Sequence, residues 1–349
     1  MDSLYEIVLK KRQDVSQITS NPTLDAIDLA FCEDLDELAS SDKFVLGRVK
    51  TCIKELHAAR GIDYNAHYRT AFEAYNEAVV YYDLLARGAT VNSIQETKTP
   101  TPDFEIKFTY NNGIGEQVTS KVFIEVKSLG FADGNNEYLR VQKAAFESNL
   151  NIEEQRGRGR RVCSSFYSIS PLGYKDNGPT SEIEELNKKI NNNIKEAQFQ
   201  YGNGNDSILF VDLSQFMFPF PKEECLPVYP DLLRKYSASG RLWLLAFGKE
   251  GDRVFSWPEF EGKSGFDKDL AMPGILICHS YIKGIVFCSG SEKSKRKLFG
   301  LYRSSDTDTE VAVFLHHFCD FVNDDINTYG YKYYEALVDE LKQLWKENK

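Results

Sequence analysis

The run SILFVDL at residues 207–213 constrains the fold more than any other stretch of this chain. Residues Ile208 to Val211 are apolar without interruption, so no two-residue alternation separates a wet side from a dry one. A short run of this kind belongs to a strand inside a sheet covered on both faces, and such a sheet needs helices packed against it. The preceding sequence supplies them. AHYRTAFEAYNEAVVYYDLLARG predicts a helix from Ala66 that closes at Gly88, and its second half is apolar on nearly every side, as in a buried helix. In the next segment Pro100 and Pro102 favour an extended entry, Phe104, Ile106 and Phe108 alternate, NNGIG supplies a turn, and VFIEVKSLG follows as a second strand. EYLRVQKAAFESNL then has helical spacing in Leu139, Phe146 and Leu150, and SEIEELNKKINNNIKEAQFQYG reads as a longer polar helix with one apolar stripe. The order α, β, β, α, α, β predicts an α/β fold with a mixed central sheet flanked by helices.

Residues 1–64 read as an added helical N-terminal region without recognisable chemistry, residues 65–215 as the core, and residues 216–349 as a C-terminal extension packed on that core. Four prolines between Pro219 and Pro230 mark a long loop at the start of the extension. RLWLLAF, GILICHS and GIVFCS are expected to be strands, AVFLHHFCDFVND a helix, and YYEALVDELKQLWKEN a terminal helix.

No apolar stretch approaches the roughly 20 residues that cross a bilayer. MDSLYEIVLKKRQD carries acidic residues where a signal peptide would carry a basic flank, so export is not expected. Seven cysteines without a CxxC pair suit a reducing, cytoplasmic setting. The pairs Cys278 with His279 and His316 with Cys319 have apolar flanks and read as core packing rather than as a soft-metal site. A formal charge of −10 argues against a surface that coats nucleic acid, because counterion release requires Lys and Arg at the contact. Any such contact must be local. The candidates are QRGRGRR, with Arg156, Arg158, Arg160 and Arg161, and KSKRK, with Lys295, Arg296 and Lys297; both also read as ordinary solvated charge runs.

The chemistry-bearing feature lies inside the second hairpin strand, where Glu125 and Lys127 interrupt an apolar run. Residues two apart in a strand share a face, so both side chains point the same way. Asp103, at the start of the first strand, is a hairpin neighbour of Glu125. One reading is an exposed hairpin face carrying an ion pair of small energetic value. The other is a divalent cation, whose charge offsets two carboxylates that would otherwise repel one another.

Pro102 and Asp103 as PD, followed by Glu125-Val126-Lys127 as EVK in a hairpin, resemble the PD-(D/E)XK nuclease superfamily. The resemblance spans residues 66–215 and implies a restriction-endonuclease-like fold. It also implies phosphodiester hydrolysis dependent on Mg²⁺, with Mn²⁺ as a substitute. It implies Asp103 and Glu125 as metal ligands and Lys127 as the residue that positions or activates the attacking water. Many members supply a further Glu from the helix before the hairpin, and Glu77 matches that place as a third metal ligand. Some relatives carry a Gln in a Q-x-x-x-aromatic pattern on the following helix, matched by Gln142 with Phe146. An endonuclease acting on DNA rather than RNA, in restriction, repair or defence against mobile elements, is the expected activity. A homodimer would suit double-strand cutting. The competing expectation is a catalytically inactive nuclease-like module for nucleic-acid binding or assembly.

Overall fold

The computed structural model describes residues 3–16, 22–59, 66–95, 98, 100–111, 115–130, 147–160, 162, 179–199, 206–215, 220–231, 236–255, 266–306 and 309–328. Two compact units result, one formed by residues 1–78 with 130–175 and the other by residues 79–129 with 176–349.

The first unit is helical, as expected: α1 (Leu4–Ser16), α2 (Pro22–Asp25), α3 (Leu29–Leu38), α4 (Lys43–Ala58), the first part of α5 (Ala66–Ala86) and α6, described over residues 147–157. Aspartates fix its helix starts, because a carboxylate satisfies the free N–H groups of a first turn. Asp28 accepts from the Ala30 amide, Asp42 from those of Phe44 and Val45, and Asp36 reaches across sequence to the Leu4 and Tyr5 amides that open α1. Leu4, Val8, Phe31, Leu35, Val45, Val49 and Leu56 are buried. Helix α5 ends where expected: Gly88 has φ +93°, the Ala89 amide donates to Leu84 O and the Gly88 amide to Leu85 O. That is a Schellman closure, and it needs glycine at the left-handed position.

The second unit holds a mixed seven-stranded sheet in the order β1-β2-β3-β4-β9-β10-β11. Strands β1 (Thr90–Ser93), β2 (Phe104–Asn111) and β3 (Gln117–Ser128) form an antiparallel meander. A crossover through α7 (Pro179–Asn191) and α8 (Glu196–Phe199) then returns the chain to β4 (Ser207–Asp212), parallel to β3. All six residues of β4 are buried, as the SILFVDL run demands. Phe104, Ile106 and Phe108 share one sheet face, where Phe108 meets Phe314 and Phe318 of α11 (Glu310–Phe318) and Phe104 meets Tyr81 of α5. Helix α8 packs on β3 from the opposite face.

Several local expectations fail. The polar helix expected over 181–202 breaks into α7 and α8 at Asn192 and Asn193, poor helix formers whose amides close a turn onto Lys188 and Ile190. A short two-stranded sheet, β5 (Val228–Asp231) with β6 (Tyr236–Ser239), precedes RLWLLAF. RLWLLAF is helix α9 (Arg241–Phe247), not a strand, and every residue from Leu244 to Phe247 is buried. Its first residue is seized by Glu224, which accepts from the Arg241 amide at 2.8 Å and from its guanidinium. Gly240 lies so close to the chain that a Cβ there would fall 1.9 Å from Leu226 O. After β7 (Arg253–Phe255) and β8 (Phe266–Asp269), GILICHS likewise forms helix α10 (Ile275–Cys278). Buried runs carry no periodicity, so their sequence did not separate helix from strand. GIVFCS does form a strand, β9 (Gly284–Ser289), and β10 (Lys297–Tyr302) follows. AVFLHHFCDFVND is helical only to Phe318, after which β11 (Phe321–Asp324) pairs parallel to β10. Residues 216–349 therefore contribute three strands to the central sheet itself. The expected terminal helix lies outside the described residues.

Candidate functional site

Glu125 is the focus of the site because it is nearly sealed from water, at 3% exposure, on the strand face opposite Ile124. The β2–β3 register begins with Phe104 opposite Ile124, and Asp103 immediately precedes it. The Asp103 amide donates to Ile124 O at 3.0 Å. The Asp103 carboxylate in turn accepts from the Val126 amide at 2.7 Å, which ties it to the strand that carries Glu125. The Asp103 charge acts on Glu125, so the two acids are electrostatic neighbours.

Lys127 lies on the same face and donates to Glu125 Oε1 at 2.5 Å. Gln198, on α8, donates to the same oxygen at 2.7 Å from Nε2. Helix α8 is anchored beside the strand by buried Phe199, whose carbonyl accepts from the Ser207 hydroxyl at 2.6 Å. Glu125 Oε2 is buried and has no hydrogen-bond donor among the described residues. Burial above all, and then the nearby Asp103 charge, raise the Glu125 carboxyl from 4.5 to about 7 against the opposing effects of Lys127 and Gln198.

These residues fit a hard divalent cation on two grounds: a buried carboxylate oxygen lacks a partner among the described residues, and the Asp103 charge repels that of Glu125. Asp103 and Glu125 would hold the ion. Among the described residues no group of three or more His, Cys, Asp or Glu comes together. Such a pair suits Mg²⁺, which keeps several waters and takes the rest of its ligands from substrate.

Glu77 belongs to the first unit, where Arg48 pairs with its carboxylate at 2.7 Å. Gln142 and Arg161 lie outside the described residues. Arg156 and Arg158 are exposed at the end of α6 and pair with Glu153 and Glu154 on their own helix; Arg160 is exposed beside them. Lys295 pairs with Glu292, and Lys297 is exposed.

Arg296 is not a surface cation: it is buried, bonded to Asp83 at 3.0 Å and to Asp212 at 3.3 Å, and cannot offer itself to a phosphate. Desolvated Arg requires such partners. Arg303 is likewise turned inward, onto the carbonyls of Leu276, His279 and Ile282. His316 packs with Tyr302 and Cys319 is buried, as expected, but Cys278 is exposed and His279 is bonded between Asn191 and Tyr281.

The sequence reading missed Gln198. No motif surrounds it, and the only clue is its place just before the buried strand, where a right-handed crossover must bring the chain back alongside β3. No protein-family model, curated protein or solved structure matches this chain, so the geometry alone carries the reading of the site.

Proposed function

We propose that this protein is a metal-dependent nuclease that hydrolyses phosphodiester bonds, with DNA favoured over RNA. The observation that supports this reading is the nearly sealed Glu125, with one oxygen bonded to Lys127 and the other without a donor among the described residues, under the charge of Asp103. The antiparallel meander followed by a crossover to a parallel buried strand is compatible with a restriction-endonuclease-like core. Mg²⁺ bound between the two acids would polarise the phosphodiester and lower the pKa of a bound water.

The chain's own groups would then divide the work. Asp103, oriented by the Val126 amide, presents one carboxylate from the strand start. Glu125 presents the other from within the sheet. Lys127, at 19% exposure, keeps its stem packed and its ammonium at the mouth of the site, where it can stabilise an attacking hydroxide or the charge on a pentavalent phosphorus. Its bond to Glu125 sets that position in advance.

The test is incubation with single- and double-stranded DNA and RNA in Mg²⁺, in Mn²⁺ and in EDTA. Cleavage in either metal that vanishes in EDTA and in Asp103→Ala and Lys127→Ala, both still folded, is expected. Salt-sensitive binding without cleavage in any divalent metal would replace this reading with that of a nuclease-like binding module.

A further inference from the structure

We propose that Gln198 is the third oxygen donor of the cation site, acting through its side-chain carbonyl. This rests on the nuclease reading above and names a ligand that neither the PD nor the EVK segment contains.

Against the carboxylate form of Glu125 the amide of Gln198 can be oriented in one way only. Its Nε2 donates to Glu125 Oε1, and the reversed amide would set two acceptors against each other. That leaves Gln198 Oε1 buried with no donor among the described residues, the same condition as Glu125 Oε2. Two orphaned acceptors therefore occur within one carboxylate–amide pair, and the Lys127 ammonium is committed to the other carboxylate oxygen. A lone water could donate to these oxygens but would leave the repulsion between Asp103 and Glu125 untouched. A divalent cation answers both needs at once. An amide carbonyl is moreover a hard oxygen ligand of the kind Mg²⁺ and Mn²⁺ accept, and with two acids it completes a donor set without nitrogen or sulfur.

Helix α8 makes this residue suited to the role. Its Phe199 is buried at 1% exposure and its last carbonyl is tied to Ser207, so the neighbouring Gln198 is presented to β3 from a fixed support. The amide would thus act twice: Nε2 keeps Glu125 in place, and Oε1 joins Glu125 and Asp103 as a ligand.

The experiment is calorimetric titration of the metal-free protein with Mn²⁺, with far-UV circular dichroism on every variant. Gln198→Met, which keeps the chain length but lacks the oxygen, is expected to weaken Mn²⁺ about tenfold or more. Gln198→Ala provides the same deletion if the Met variant misfolds. Gln198→Glu loses the donor but keeps an oxygen, and is expected to bind at least as tightly as the wild type. Equal weakening in Gln198→Met and Gln198→Glu would reduce Gln198 to a donor and overturn the proposal, as would wild-type affinity in Gln198→Met. Either result leaves the nuclease reading standing provided that Asp103→Asn weakens Mn²⁺ binding. If the wild type takes up no Mn²⁺, the cation site and this ligand fall together.

Discussion

Replacing Glu125 by Gln should stabilise the metal-free protein at alkaline pH and leave it nearly unchanged at acidic pH. The carboxyl is raised from 4.5 to about 7 by burial and by Asp103. The folded state therefore binds a proton that the unfolded state releases at lower pH. Its contribution to stability is complete below about pH 4.5 and is lost as pH rises through about 7. At about 1.4 kcal/mol per pKa unit the full loss is on the order of 3 kcal/mol, of which about 2 kcal/mol falls between roughly pH 5.5 and 8. Gln has the same shape, still accepts at its oxygen, and carries no charge to be desolvated. Lys127 loses its ionic partner but reaches water, so its compensation costs little. Urea unfolding in EDTA at the two pH values should show the variant gaining about 2 kcal/mol on the wild type between them. Saturating Mg²⁺ should close that gap, because it stabilises only the protein that retains the carboxylate. A difference between variant and wild type that does not change with pH would refute the argument, since Glu125 would then ionise in the folded protein as it does in water.

Asp103→Asn keeps an acceptor for the Val126 amide but removes a repelling charge, so the Glu125 midpoint should move down from about 7, followed by carboxyl ¹³C resonances. Lys127→Ala should retain Mn²⁺ binding while cleavage falls by roughly 10²- to 10⁴-fold, measured in single-turnover assays. Arg296→Leu strands Asp83 and Asp212 without their buried cation and should cost about 3 to 5 kcal/mol in chemical denaturation; a change under about 1 kcal/mol would show that those acids find other partners. Gly240→Ala forces a Cβ against Leu226 O and should lower stability by at least about 1 to 3 kcal/mol, read from the thermal midpoint.

Where periodicity existed, the sequence disclosed the structure. The α5 helix with its glycine closure and the β2–β3 hairpin lie where helical spacing, alternation or terminal residues put them, and the fully buried strand at 207–212 was betrayed by its short uninterrupted apolar run. Where every side chain is buried, periodicity vanishes, and RLWLLAF and GILICHS became helices for tertiary reasons such as the Glu224 carboxylate waiting for the Arg241 amide. The same contrast holds for the site. Asp103, Glu125 and Lys127 were legible because a hairpin relates them by local register. Gln198 was not, because only the crossover to β4 brings α8 to the sheet. Arg296 misled because a run of basic letters does not show that one of them turns inward to meet acids on distant segments.

The bond between Gln198 and Glu125 joins residues 73 apart in sequence, across the only stretch of the meander that pairs with a parallel strand. Local hairpins form early, whereas such distant pairing must first overcome loop-closure entropy and comes late. A growing polypeptide would therefore hold both acids long before it had the crossover that shields them.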